Sequence, residues 1–271
     1  MFRLTLLVGG FLSLPIAGWG DDSARTPVAG APSGRPSAVP CETSFSCGID
    51  GRTNGLAYAG GNLIWLAYSD GYALLKDPTT CNVSKFCGLP GTPGASSELA
   101  YDGTFLYHYN FATGLIYKID PNTCEVLASC DAPGDNLAEG LTWDGQYLWK
   151  GDSEALWRFT PPPECVVVGS CPNPAGDTAN GLTMCGSSLI MLGYSRRIYR
   201  IDPARCEAVE ICTDPYAGNG LTSDRSSFLY AEVPLGQPGD DGSGIARIPI
   251  DCASPTATED RSWGSVKALY R

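Results

Sequence analysis

Five polar residues occupy the same position of a repeated sequence, directly before a Gly-Leu or Glu-Leu pair, and they are the first candidates for chemistry: Asn54, Ser97, Glu139, Asn180 and Asn219. Converging oxygen atoms of this kind can hold Ca²⁺ or Mg²⁺ or hydrogen-bond a small polar ligand. Glu139 is the only ionisable member, so it is the candidate general base, and Glu139, Asn180 and Asn219 are the candidate metal ligands. The alternative is that these amides hydrogen-bond the backbone between neighbouring units and favour the turn before glycine.

A second group of candidates lies in the turns between the second and third strands of each unit: Asp70, Asn110, Asp152 with Glu154, Arg196 with Arg197, and Asp240 with Asp241. The Asp240–Asp241 loop is longer than the others and interrupts the repeat, and such departures often carry function. Its paired aspartates resemble part of a calcium loop, but they lack the spacing and terminal Glu of an EF-hand. Arg196 can bind a carboxylate or phosphate, or lie in a solvated turn.

The single histidine, His108, excludes sites that need two imidazoles. The chain has no Gly-x-Ser-x-Gly segment to supply a nucleophile. We therefore expect His108 to be a packed strand residue. Trp65, Tyr107 and Trp149 recur at matching positions and predict packing between units.

The elements that position these residues follow from the repeat. Its starts are 39 to 43 residues apart, at Gly55, Glu98, Gly140, Gly181 and Gly220. In the second unit, four short segments rich in aromatic and β-branched residues predict four strands: ELAYDG, FLYHYN, LIYKID and CEVLASC. A period near 40 with four strands per unit is typical of a propeller blade.

A Cys-x5-Cys segment also recurs five times, at 41–47, 81–87, 124–130, 165–171 and 206–212. The first copy has no strands before it, and the last unit loses the pattern after its third strand, IARIPID. We therefore predict an all-β fold: a five-bladed β-propeller of four-stranded antiparallel blades, in which segment 41–47 completes the last blade and closes the ring. An open solenoid would need capping units, which the sequence does not contain.

All twelve cysteines are expected to be structural disulfides of an oxidising compartment. Pairing within each Cys-x5-Cys segment is the favoured interpretation because every unit carries both members. Six extended residues span about 20 Å, however, whereas bonded Cα atoms lie about 5.5 Å apart. Local pairing thus requires a bulge or a fold-back, and bonds between neighbouring units are the alternative. The two remaining cysteines, Cys185 and Cys252, follow strands that end on one side of the ring, so they can pair.

The rest of the chain indicates export. Residues 1–20 resemble a secretory signal, with a retained anchor as the alternative, and 21–40 read as a disordered Pro/Ala/Gly/Ser linker. The propeller covers 41–252, and the tail 253–271 can add an edge strand. We expect a secreted or periplasmic protein, monomeric and without a membrane span after signal removal. Its net charge of −11 disfavours nucleic acid as a partner and leaves an unknown protein or a small polar ligand.

GLTWDGQYLW and LIYKIDPNTC resemble secreted bacterial propeller repeats of the YVTN and NHL-like type, grouped with the quinoprotein amine dehydrogenase β-chain-like superfamily. In those repeats Gly commonly stands at the first Cys position. Glu139-Gly140-Leu141-Thr142 resembles a segment of the five-bladed plant-type glutaminyl cyclases, which implies a catalytic acid/base role for Glu139. Glu139-Gly140, Asn180-Gly181 and Asn219-Gly220 are also similar to metal-binding segments of the six-bladed gluconolactonase-type propellers, which implies a divalent ion.

Three functional hypotheses follow. The favoured one is a secreted, disulfide-stabilised propeller that binds a ligand or protein and has no chemistry of its own. The second is a hydrolase or cyclotransferase that uses Glu139 at the channel mouth, with Ca²⁺ or Mg²⁺ as the candidate cofactor. The third is a structural surface or matrix protein.

Overall fold

The computed structural model describes residues 39–49, 53–91, 97–135, 140–214, 218–234 and 243–253. Within them the chain forms twenty strands and no helix. The strands are β1 Ser44–Ile49, β2 Thr53–Gly60, β3 Leu63–Tyr68, β4 Tyr72–Lys76, β5 Val83–Gly88, β6 Ser97–Tyr101, β7 Leu106–Asn110, β8 Leu115–Ile119, β9 Val126–Asp131, β10 Leu141–Trp143, β11 Leu148–Gly151, β12 Ala155–Phe159, β13 Val167–Pro172, β14 Ala179–Cys185, β15 Ser188–Gly193, β16 Arg197–Asp202, β17 Glu207–Thr213, β18 Leu221–Ser223, β19 Phe228–Pro234 and β20 Ser243–Pro249.

The strands form five antiparallel sheets of four, and the predicted five-bladed propeller is confirmed. Blades 1 to 4 are β2–β5, β6–β9, β10–β13 and β14–β17, each in chain order from the inner to the outer strand. Blade 5 consists of β18, β19 and β20 with β1 as its outer strand. Ser44 pairs with Arg247 and Ile49 with Ser243, so the first strand of the chain closes the ring as predicted.

In blades 2 and 3 the turn between the first and second strands depends on an Asp-Gly pair. Asp102 Oδ1 accepts hydrogen bonds from the Thr104 and Phe105 amides at 2.7 and 2.6 Å, which closes the turn locally. Gly103 in this turn has φ +98°, a conformation that glycine adopts without a steric penalty. Asp144 accepts the equivalent bonds in blade 3. The Asp-Gly pairs of the sequence therefore set where one strand ends and the next begins.

Five hydrophobic clusters form the core, and each combines residues of two neighbouring blades. Trp65 of blade 1 packs in one cluster with Leu99 and Leu106 of blade 2. Tyr107 and Trp149 belong to the clusters between blades 2 and 3 and between blades 3 and 4. The prediction that these three aromatic residues pack between units is thus confirmed. Since no blade buries its faces alone, the ring must close for the core to be complete.

The predicted local pairing of cysteines is wrong. Five disulfides instead join the second cysteine of one segment to the first cysteine of the next blade: Cys47–Cys81, Cys87–Cys124, Cys130–Cys165, Cys171–Cys206 and Cys212–Cys41. The reason is geometric, because each segment runs into an extended outer strand that holds its two cysteines apart, while the bonded Cα atoms lie 5.1–6.0 Å apart. The five segments and five disulfides together form a closed covalent ring around the propeller.

The predicted Cys185–Cys252 bond is present and links blade 4 to the end of β20. In four of the five segments the first cysteine has a positive φ, between 46° and 64°. That conformation usually favours glycine, the residue that the resembling repeats commonly carry there. A cysteine at this position places its sulfur against the neighbouring outer strand. The described residues contain no helix long and apolar enough to cross a membrane.

Candidate functional site

The two ends of the ring differ in access to the central channel. We call the end where the inner strands begin the upper end and the opposite end the lower end. At the lower end Arg225 of blade 5 donates a hydrogen bond to the Trp143 carbonyl of blade 3 at 2.7 Å, which bridges two blades that are not neighbours. The channel beneath it, lined by the inner strands of all five blades, leaves a cavity of about 20 Å³, room for about one water. Within the described residues, this part of the channel therefore has no room for a ligand much larger than one water.

Three of the five predicted mouth residues come together at the upper end in blades 4, 5 and 1. Asn180 Nδ2 donates to Asn219 Oδ1 at 3.1 Å, and Asn219 Nδ2 donates to Asn54 Oδ1 at 3.3 Å. Asn180 Nδ2 also donates to the Gly218 carbonyl at 2.6 Å, and Asn54 Nδ2 to Ser69 Oγ at 3.3 Å. These side chains form a continuous amide chain across two blade boundaries, and the bond from Asn180 to the Gly218 carbonyl is the kind of backbone contact between units that the alternative predicts.

The backbone beside the amide chain is packed without room for side chains. A Cβ atom on Gly181 would lie 2.7 Å from the Leu221 nitrogen, and one on Gly220 would lie 2.4 Å from the Asn54 carbonyl oxygen. Such distances are far below van der Waals contact. In blades 4, 5 and 1 the amides therefore lie on a closed surface. A metal ion bound here would have to compete with Asn180 for the Asn219 oxygen.

The half of the upper end formed by blades 2 and 3 is different. Glu98 takes the position that glycine holds in the other four units, and it is 1% exposed. Each inner strand carries a leucine at the repeat start, and this leucine pairs with one residue of the second strand. That partner is apolar in blades 1, 4 and 5, as Leu66, Met191 and Ala231, but it is His108 in blade 2 and Lys150 in blade 3. Blades 2 and 3 thus carry Glu98, His108 and Lys150 at these strand positions, while Lys76 of blade 1 and Glu232 of blade 5 are buried charged groups elsewhere in the ring.

Lys150 is the central cation of this half. Its side chain is fully buried, and its ammonium group donates a hydrogen bond to the Asp135 carbonyl at 2.6 Å. The nitrogen also lies 5.2 Å from the ring centroid of Tyr109 in blade 2, a cation–π distance. Burial lowers the pKa of Lys150, and the carboxylates of Asp152 and Asp135 oppose that shift. The amine is therefore easier to deprotonate than an exposed lysine.

Asp152, a predicted ligand-binding residue, is buried beside Lys150 and has several partners. Its Oδ1 accepts from the Glu154 and Ala155 amides at 2.9 and 2.6 Å, and its Oδ2 accepts from Trp157 Nε1 at 2.6 Å. The Asp135 amide also donates to Oδ2 at 3.3 Å. Asp152 therefore closes a turn and contributes a fixed negative charge to the site.

His108 has no access to solvent and stacks on Tyr117, with ring centroids 5.8 Å apart. Burial lowers the pKa of His108 to about 3, so the imidazole is neutral in the folded protein. This agrees with the prediction of a packed strand residue.

The remaining predicted residues are spread out or lie outside the described residues. Arg196 is an exposed turn residue with φ +66°, and Arg197 lies 3.7 Å from a Glu210 carboxylate oxygen. Asn110 is buried and closes its own turn by accepting from the Thr113 amide at 3.1 Å, and Asp70 is exposed. Ser97 pairs with Asn110 through the backbone of β6. Glu139, Asp240 and Asp241 lie outside the described residues, and among those described no cluster of three or more His, Cys, Asp or Glu could hold a metal.

Sequence reasoning missed the contact between Lys150 and Asp135, and it missed Glu98 as a buried carboxylate. Two of these three residues were visible as departures from the repeat: a Glu at a Gly position, and a Lys at an apolar strand position. Asp135 gave no such signal, because it lies in a connection whose contact with Lys150 depends on the folded chain.

Comparisons with known proteins support the fold. No protein-family model matches the sequence, and no curated protein matches it. Among solved structures, a glutaminyl cyclase from Myxococcus xanthus is similar, with 16% identity and a TM-score of 0.58, over 79% of this chain and 100% of that chain. The WD40 repeats of RRP9 (11% identity, TM-score 0.49, 79% and 99%) and hydrazine synthase from Kuenenia stuttgartiensis (16%, 0.46, 74% and 64%) also match. At 16% identity, the similarity to the glutaminyl cyclase shows a shared fold alone.

Proposed function

We propose that this protein is an exported binding propeller whose ligand meets the upper end at the boundary between blades 2 and 3. The repeats are of the YVTN and NHL-like type that the sequence resembles. The ligand is a small zwitterion, such as an amino acid or the end of a peptide. Lys150 attracts its carboxylate, and the carboxylates of Asp135 and Glu98 attract its amine.

The observation that carries this proposal is the asymmetry of the upper end. Blades 4, 5 and 1 use their mouth residues in the amide chain Asn180–Asn219–Asn54, beside the buried Glu232 carboxylate. A buried lysine with carboxylates close to it, Lys150 with Asp135 and Asp152, occurs instead at blade 3. Burying a charge costs free energy, and Lys150 is the more deeply buried of the two buried lysines described, at 0% exposed against 8% for Lys76. Within the described part of the chain, the Lys150 ammonium donates a hydrogen bond to the Asp135 carbonyl and lies near the Tyr109 ring.

Export is supported by the six disulfides, which are stable in an oxidising compartment such as the periplasm or the extracellular space. A purely structural protein would share this feature, so ligand binding must be tested directly.

The test is a set of thermal melts of the mature protein with alanyl-alanine, its N-acetyl form and its C-terminal amide. The zwitterion should raise the melting temperature, because binding to the folded state alone stabilises it. The two blocked forms, each with one charge removed, should have much smaller effects. Equal shifts with all three, or none, would contradict the proposal. Parallel melts in EDTA and then in Ca²⁺ or Mg²⁺ test the metal hypothesis separately.

A second function is favoured by one observation, the match along the whole length of the Myxococcus xanthus glutaminyl cyclase. In this alternative Glu139 acts as general acid/base in a cyclotransferase. The β10–β11 register pairs Leu141 with Lys150, so Glu139 is two residues before the partner of Lys150. The test is mass spectrometry of a peptide with an N-terminal glutamine. Loss of ammonia with the wild type but not with Glu139→Gln would support the enzyme, and no turnover by the wild type would exclude it.

A further inference from the structure

A surface groove lies at the lower end between blades 3 and 4, away from the proposed ligand site. Its volume is about 460 Å³. The apolar part of its lining consists of Trp149, Val168, Met184, Pro203 and Ala204. The rest of the lining consists of Gly169 and Ser170 of β13, the turn at Gly186 and Ser187, and the polar side chains of Asp144, Gln146 and Arg158.

One wall of this groove is a strand with an unpaired edge. Among the described strands β13 pairs only with β12 and forms the outer edge of blade 3. Val166 directly before β13 and Val167 and Val168 within it are 56%, 43% and 47% exposed, so three apolar residues in a row lie exposed along this edge. An apolar edge of this kind favours the addition of another strand.

The described chain ends beside the same groove. Cys252 is bonded to Cys185, with Cα atoms 4.8 Å apart, and the next residue, Gly186, lines the groove. A Cβ on Gly186 would lie 2.3 Å from the Cys252 carbonyl oxygen, so the chain passes directly against this turn. Residues 254–271 follow, and ten extended residues span about 33 Å. That length is enough to reach the wall formed by β13.

The sequence of this segment matches the groove. WGSVKALYR provides Trp263, Val266, Leu269 and Tyr270 for an apolar wall. Residues 261–271 contain three basic side chains and no acidic side chain, on a chain of net charge −11. The match is therefore mainly apolar, because the one acidic residue of the groove, Asp144, is already ion-paired with Arg158.

We propose that residues 261–271 dock into the groove between blades 3 and 4 and add to the edge of β13. The chain thereby covers this exposed apolar edge. The inference does not depend on the proposed ligand site at the opposite end.

The test is limited trypsin digestion of the full mature chain, read by intact mass, because Arg261 and Lys267 are cleavage sites within the segment. A synthetic peptide 254–271 in the same reaction gives the rate for an undocked segment. Docking should slow cleavage after Arg261 and Lys267 on the order of tenfold relative to this peptide, since only the open state is cut.

Two matched variants test whether the protection from trypsin arises in the groove. Ser170→Trp fills the groove, whereas Ser129→Trp makes the same change at the equivalent exposed position of β9 in blade 2. Ser170→Trp should restore the peptide rate and Ser129→Trp should not. Cleavage of the wild type at the peptide rate, or equal protection in both variants, would overturn the proposal. Protection that rises with protein concentration would assign the groove to a second copy of the chain instead.

Discussion

The closed covalent ring of disulfides makes a quantitative prediction about stability. The perturbation is the double variant Cys41→Ser/Cys212→Ser, which opens the ring at the boundary between blades 4 and 5. The comparison is Cys87→Ser/Cys124→Ser, which opens it between blades 1 and 2. The two bonds differ greatly in sequence separation, at 171 and 37 residues.

Considered alone, loops of these lengths predict losses of about 5 and about 4 kcal/mol from the constraint on the unfolded chain. The other four disulfides of the ring change the comparison, because they stay intact in the unfolded chain. In the Cys41→Ser/Cys212→Ser variant they connect positions 41 and 212 through the five short segments, a path of about 30 residues, which gives about 4 kcal/mol. The ring therefore predicts that the two variants lose nearly the same free energy of unfolding.

The assay is guanidinium unfolding of the oxidised proteins, followed by tryptophan fluorescence, with thiol titration of the unfolded chains. Both variants should contain no free thiol, whereas Cys41→Ser/Cys47→Ser should expose two, from Cys81 and Cys212. If the 41–212 variant loses well over 1 kcal/mol more free energy of unfolding than the 87–124 variant, the remaining ring disulfides do not constrain the unfolded chain as argued. Free thiols in either of the first two variants would refute the pairing itself.

Two further predictions concern buried positions. In the wild type the pKa of His108 is about 3 in the folded chain, below the ordinary value of 6.5. The unfolded chain therefore binds a proton that the folded chain does not, and the free energy of unfolding falls by up to about 1.4 kcal/mol per pH unit as the pH drops from 6.5 towards 3. His108→Leu should remove this part of the pH dependence. Urea unfolding between pH 7 and pH 4 measures this, and an unchanged slope in the variant would show that His108 does not carry the effect. Gly220→Ala should cost about 3 kcal/mol or more, because its Cβ would meet the Asn54 carbonyl oxygen. Gly103→Ala, with a positive φ but open space around its Cβ, should cost about 1 kcal/mol by the same denaturant assay, and equal losses would argue against close packing at the upper end.

The architecture was predictable from the repeat, because the strand pattern within each unit and the number of units both indicate a closed ring of blades. The 40-residue period, the Asp-Gly turns and the missing fourth strand of the last unit led to five blades closed by β1, as observed. The disulfide pairing was not predictable in the same way. Every unit contains one complete pair of cysteines, so sequence repetition is equally compatible with bonds within units and between them. Only the twist and spacing of the blades decide which sulfur atoms meet.

The candidate site was predictable in part. The repeat correctly brought Asn54, Asn180 and Asn219 to one mouth, but it could not show that they bond to one another. Side-chain hydrogen bonds depend on distances of a few tenths of an ångström, which a sequence pattern does not contain. The half of the mouth that departs from the repeat, marked by Glu98 and Lys150, was the more informative signal for function.

The most direct test of the proposed ligand site is isothermal titration of alanyl-alanine into the wild type, Lys150→Met and Lys85→Met. Lys85 lies on the outer strand of blade 1, where it bonds to Asn122, so its variant removes the same charge away from the site. The account predicts that binding is lost in Lys150→Met and retained in Lys85→Met. Equal affinity in both variants, with both still folded, would contradict a ligand site at the boundary between blades 2 and 3.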